Sequence, residues 1–119
     1  MEFNQIKGVI NQVYSLFNKR DIDPILTFMH PEVHWPNGWE GGYVEGHQGI
    51  RDYWTRQWKV LDPKVVPISI DQLEDGRIQV LVRQTVKDLE GKLIGDGEVR
   101  HIYTFHKGLI KTMEILPKN

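Results

Sequence analysis

The hydrophobic period changes once along this chain, near Lys64, and that change limits the fold more than any other feature. Before it, apolar residues recur every three or four positions; after it, they alternate. A period near 3.6 lines up apolar groups on one stripe of a helix, whereas a period of two lines them up on one face of a strand. Helices followed by strands within 119 residues imply one α+β domain over residues 1–119, its helices packed on one face of a curved antiparallel sheet.

Phe3, Ile6, Ile10, Val13, Tyr14 and Phe17 form the stripe of an amphipathic first helix running to about Lys19. Asp23 followed by Pro24 reads as an N-cap and a first helical position, opening a short second helix with Ile25, Leu26, Phe28 and Met29. Pro31 biases His30 away from the α region and ends it. Residues 33–35 read as a short strand and residues 41–45 as its partner, around the turn-prone Pro36-Asn37-Gly38. A third helix follows Gly46-His47-Gln48-Gly49, with Ile50, Tyr53, Trp54, Gln57, Trp58 and Leu61 at helical spacing and Asp62-Pro63 closing it.

Four long strands then form a meander. Val66, Ile68 and Ile70 alternate on the first, where Pro67 marks an edge strand or a bulge. Turns at residues 74–77 and 89–92 separate it from strands over 78–86 and 93–106, and Lys107-Gly108 turns into residues 109–116.

Residues 31–58, PEVHWPNGWEGGYVEGHQGIRDYWTRQW, hold all four tryptophans and five of the eleven glycines. Broad rings alternating with bare backbone read as one wall and the mouth of a pocket. Tyr14, Phe17, Trp35, Trp39, Tyr53 and Trp54 are its aromatic candidates, with Trp35 and Trp39 flanking the turn at the mouth. Ordinary core packing is the competing explanation for the same rings.

Strand alternation adds the polar members. Val99, His101, Tyr103 and Phe105 form the more apolar face of their strand and so point at the helices. The same reasoning takes Gln84, Met113 and Ile115 inward and leaves Leu81, Arg83 and Ile102 on the far face. His101 with Tyr103 is the leading candidate for acid–base chemistry, because an imidazole titrates near neutrality. The alternative is a histidine that only shapes the pocket. His34, beside Trp35 and with Glu40 or Glu45 to orient it, is a further catalytic candidate; a plain surface histidine is the alternative.

Several functions are excluded by what is missing. Fifteen basic against sixteen acidic side chains, with no basic block, argue against a nucleic-acid partner. Without cysteine there is no thiolate nucleophile, disulfide or thiolate-bound metal. Pro31 breaks the helical spacing between His30 and His34, so no metal site is expected. The glycines match no phosphate-binding pattern, and no cofactor is expected. No apolar run approaches the roughly 20 residues that span a bilayer. The opening MEFNQIKGV lacks a signal-peptide pattern, so a cytoplasmic protein without a membrane partner is expected. Leu81 and Ile102 on the open face of the sheet imply a homodimer through that face.

Four strings in this order resemble the nuclear transport factor 2-like superfamily, and within it the SnoaL-like and ketosteroid-isomerase-like proteins. They are Asn18 to Ile25 (NKRDIDPI), Val33 to Gly38 (VHWPNG), Gly46 to Trp54 (GHQGIRDYW) and Tyr103 to Ile110 (YTFHKGLI). The resemblance implies a cone-shaped fold, with the sheet wrapped around three N-terminal helices over an apolar cavity, and frequent dimers. Ketosteroid isomerase works with an aspartate base and with a tyrosine and a protonated acid as oxyanion donors. Those positions fall on Trp35, on Val13 with Tyr14 one residue and about 100° away, and on His101. Steroid isomerisation is therefore not implied. The expected function is binding of a small apolar or aromatic molecule, with cofactor-free isomerase, cyclase, dehydratase or hydrolase chemistry. The alternative is a non-catalytic ligand-binding or dimeric interaction module.

Overall fold

The computed structural model describes residues 1–119. Helices α1 (Phe3–Asn18), α2 (Ile22–Thr27) and α3 (Gly46–Trp58) pack against a curved six-stranded sheet. Its strands are β1 (Met29–Pro36), β2 (Tyr43–Glu45), β3 (Leu61–Gln72), β4 (Ile78–Asp88), β5 (Leu93–His106) and β6 (Leu109–Pro117), in the order β2-β1-β6-β5-β4-β3. The four-stranded meander is present as expected. Its unforeseen extension is that β1 lies parallel to β6, which brings the tryptophan-rich stretch into the same sheet.

The α1 stripe is buried as its spacing requires, with Ile6, Ile10, Val13 and Tyr14 inside. Together with Ile25, Met29, Val33 and Ile50, these meet Ile78, Val80, Val82, Tyr103 and Ile110 of the sheet in one core. Apolar burial of this kind supplies most of the folding drive.

Several boundaries differ from the sequence reading. Helix α2 ends at Thr27 with Phe28 as its C-cap, so Met29 to Glu32 belong to β1, which starts four residues earlier than expected. Asp21, not Asp23, is the N-cap of α2, and Asp23 sits in the first turn paired with Arg51 of α3. Helix α3 starts directly at Gly46, whose φ of 71° suits a residue lacking a side chain. It ends at Trp58, so Leu61, Asp62 and Pro63 belong to β3 and not to the helix. The reason is a tertiary clasp at the end of α1. Arg20 takes a left-handed conformation, lies over the Trp58 ring at 5.1 Å, and pairs with Asp62.

β3 is an edge strand with an irregularity between Pro67 and Ser69, as Pro67 suggested. Val66 and Ile68 turn out exposed, while Val65 faces inward. The unpaired edge of β3 is covered at one point by Asn18. Its amide donates to the Val65 carbonyl (2.8 Å) and its Oδ1 accepts from the Val65 N–H (3.0 Å), imitating a neighbouring strand. Asn18→Ala removes both bonds and should cost about 2 kcal/mol. Urea unfolding checks the loss, and hydrogen exchange at the Val65 amide should accelerate; an unchanged amide would show that Asn18 does not protect the edge.

On the outer face, Ile102 is only 3% exposed within the single chain. Arg100 crosses this face, reaching Gln79 and the Pro117 carbonyl. The apolar outer face is therefore smaller than alternation alone implied.

Candidate functional site

A cavity of about 430 Å³ lies between the helices and the inner face of the sheet, lined by 22 residues. Helix α1 contributes Val13, Tyr14 and Phe17. Strand β1 and the following turn contribute Trp35, Pro36, Gly38 and Trp39, and α3 contributes Tyr53, Trp54 and Gln57. The sheet closes the other side with Gln84, Val99, His101, Tyr103 and Met113 among others. All eight expected ligand-binding positions lie on this surface, as do His101 and Tyr103.

His34 does not. It sits on the opposite face of β1 from Trp35, stacks on Tyr43 with ring centroids 4.2 Å apart, and pairs with Glu45. Glu45 is one of the two carboxylates expected to orient it, but strand alternation sends the pair outward. His34 therefore lies outside the cavity.

Trp35 is also repositioned. Instead of flanking the mouth it is buried in the wall, edge-on to Trp54 at 5.8 Å and tilted against Tyr103 at 6.1 Å. The mouth position belongs to Trp39, 39% exposed. Asn37 shapes that rim. Its Oδ1 accepts from the N–H groups of Trp39 (3.1 Å) and Glu40 (2.7 Å), and Glu40 is held in turn by Arg56 of α3 (2.7 Å).

The polar focus is a triad. Tyr14 Oη lies 2.7 Å from His101 Nδ1 and 2.7 Å from Tyr103 Oη. Tyr14 thus meets His101 and Tyr103 although it is one position off the ketosteroid-isomerase tyrosine, and both Val13 and Tyr14 line the cavity. Burial pushes His101, 5% exposed, down to about 4, and pushes the Tyr103, Tyr14 and Tyr53 hydroxyls up. All four groups are uncharged at neutral pH. No lining residue is Asp, Glu, Lys or Arg, so a charged ligand would meet no counter-ion in the wall. No group of three or more His, Cys, Asp or Glu side chains converges anywhere to hold a metal.

Leu61, Pro63, Val65 and Ile94 also line the cavity without being expected there, whereas Val86 follows in phase with Gln84 along β4. Odd-numbered alternation along β3 would have found the first three. Ile94 carries no such signal, because the β4–β5 register shifts beside it, between Val86 and Lys87.

No helix is long and apolar enough to cross a membrane. Residues 10–113 match the SnoaL-like domain family. No curated protein matches the chain in sequence. Among solved structures, TerC, co-crystallised with polyporic acid, is 30% identical, with 93% of this chain and 89% of that one covered and a TM-score of 0.79. An NTF2-like protein of unknown function from Burkholderia pseudomallei is 21% identical over 97% and 90% of the two chains, with a TM-score of 0.80. SalBIII, an epoxide hydrolase/cyclase-like enzyme in pyran ring formation in the polyether salinomycin, is 16% identical over 98% and 93%, with a TM-score of 0.80. The last two show the fold alone. With the family match spanning most of the domain, the chain belongs to the SnoaL-like domain family.

Proposed function

We propose that the cavity takes a small, flat, largely apolar organic molecule and serves cofactor-free acid–base chemistry of the isomerase, cyclase, dehydratase or hydrolase type. The observation carrying this reading is the Tyr14–His101–Tyr103 triad set into an otherwise apolar, aromatic wall. His101 is the group that faces the reacting atoms, as acid or oxyanion donor. Tyr103 acts on it through Tyr14, and Gln84 orients the ligand from β4. Similarity to TerC supports a flat ligand. A second reading, a non-catalytic binding module, is favoured by the absence of any carboxylate from the lining. We also propose a homodimer through the outer face of the sheet, where Val66, 55% exposed, stands opposite Arg83.

The test is a thermal-shift screen with polyporic acid and neutral aromatic ketones. A saturating ligand at 100 times its Kd stabilises by about 2.7 kcal/mol. Wild type should gain several degrees, and Trp35→Ala and His101→Ala should lose that gain. Shifts that survive both substitutions would place the ligand elsewhere. Turnover of a bound ketone separates the first reading from the second.

A further inference from the structure

The proton count in the buried triad decides which face of His101 meets a ligand. Tyr103 is fully buried, and its hydroxyl has one partner, Tyr14. A buried hydroxyl proton left without an acceptor is costly, so Tyr103 donates to Tyr14. Tyr14 then has its own proton free, and the remaining neighbour is His101 Nδ1, at 2.7 Å. Nδ1 must therefore accept. In a neutral imidazole the proton then resides on Nε2. Nε2 makes no hydrogen bond within the protein, yet it is not a sealed-off orphan; that description fits only Trp58 Nε1. Since His101 lines the cavity, Nε2 opens onto it.

We propose that Tyr103 and Tyr14 are positioning residues that lock His101 as the Nε2–H tautomer, making it a neutral hydrogen-bond donor aimed into the cavity, and that the ligand presents a carbonyl-type oxygen to it. This rests on the cavity reading above and deepens it, because it names the ligand chemistry. The two phenolic protons nearest the histidine are spent inside the triad, so neither is offered to the ligand. A neutral imidazole N–H polarises a carbonyl and stabilises negative charge developing on its oxygen without holding a full charge in an apolar wall. Burial, which keeps the imidazole neutral, agrees with this geometry.

Nitrogen-15 NMR of the histidine-labelled protein at neutral pH tests the lock without any ligand, with His101→Gln identifying the His101 signals among the five histidines. The expected spectrum shows Nε2 protonated and Nδ1 bare. Tyr14→Phe should release the lock and mix the two tautomers. Tyr103→Phe should keep the tautomer but shift the Nδ1 resonance, although Tyr103 does not touch His101. A proton on Nδ1, an imidazolium at neutral pH, or a His101 spectrum indifferent to both substitutions overturns the lock.

The ligand class is tested with 2-acetylnaphthalene against 2-ethylnaphthalene, which has a similar shape but no oxygen. The ketone should bind roughly tenfold more tightly and shift the Nε2–H signal. Equal affinity overturns the carbonyl assignment while leaving the cavity reading intact. Binding of neither probe counts against both of those, while the ligand-free spectra still judge the lock.

Discussion

Between pH 7 and pH 4 the protein should lose about 3 kcal/mol of folding stability through His101 alone. Its imidazole falls from 6.5 to about 4 on folding because it is buried, at about 1.4 kcal/mol per pH unit. Over this window the unfolded chain binds a proton that the native state refuses, so stability falls as pH falls. The contribution is complete above about 6.5 and exhausted near 4. Asp96 and Glu40, held low by Arg83 and Arg56, add their own losses only from the ordinary carboxylate range, about 4, downward. His101→Gln keeps an acceptor for Tyr14 but does not titrate. Urea unfolding across pH should therefore show the wild-type slope flattened in this variant between 6.5 and 4. A slope that persists would assign the titration to another group.

Tyr14→Phe should destabilise the protein by about 3 kcal/mol, although it removes a single oxygen. That oxygen is shared, and its loss strands both His101 Nδ1 and the Tyr103 hydroxyl. Each stranded buried group costs about 1–3 kcal/mol. Tyr103→Phe should cost only about 1 kcal/mol, even though Tyr103 is the more deeply buried, because Tyr14 keeps His101 as its acceptor. The double variant should cost no more than Tyr14→Phe, since removing Tyr103's hydroxyl also removes one stranded donor. Each kcal/mol corresponds to roughly 4 °C in Tm, so calorimetry resolves the three variants. Equal costs for the two single variants would mean that Tyr14 is not the hub.

The effects at Tyr14 and His101 are large because the triad is buried in an apolar wall. The same wall explains how much of the site was readable. Phe17, Tyr53, Trp54 and Met113 could be assigned to the inner surface because a helix or strand that buries one face must bury every residue in phase with it. His34 failed by the same rule: it neighbours Trp35 in sequence, so on a strand it must face the other way. Ile94 was unreadable because a bulge resets the phase, and a bulge is a property of two paired strands rather than one.

The sequence by itself determined the order of helices and strands and the inward direction of His101, Tyr103 and Gln84. Each of these is a local consequence of side-chain period, turn residues and burial. Only the tertiary structure decided that β1 runs parallel to β6, that Arg20 clasps Trp58 and Asp62, and that Tyr14 meets His101 and Tyr103. The triad joins residues 87 and 89 positions apart. A one-position offset on a helix means 100° of rotation in sequence terms. Where that rotation points depends on how the helix is seated, and packing against the whole sheet sets the seat.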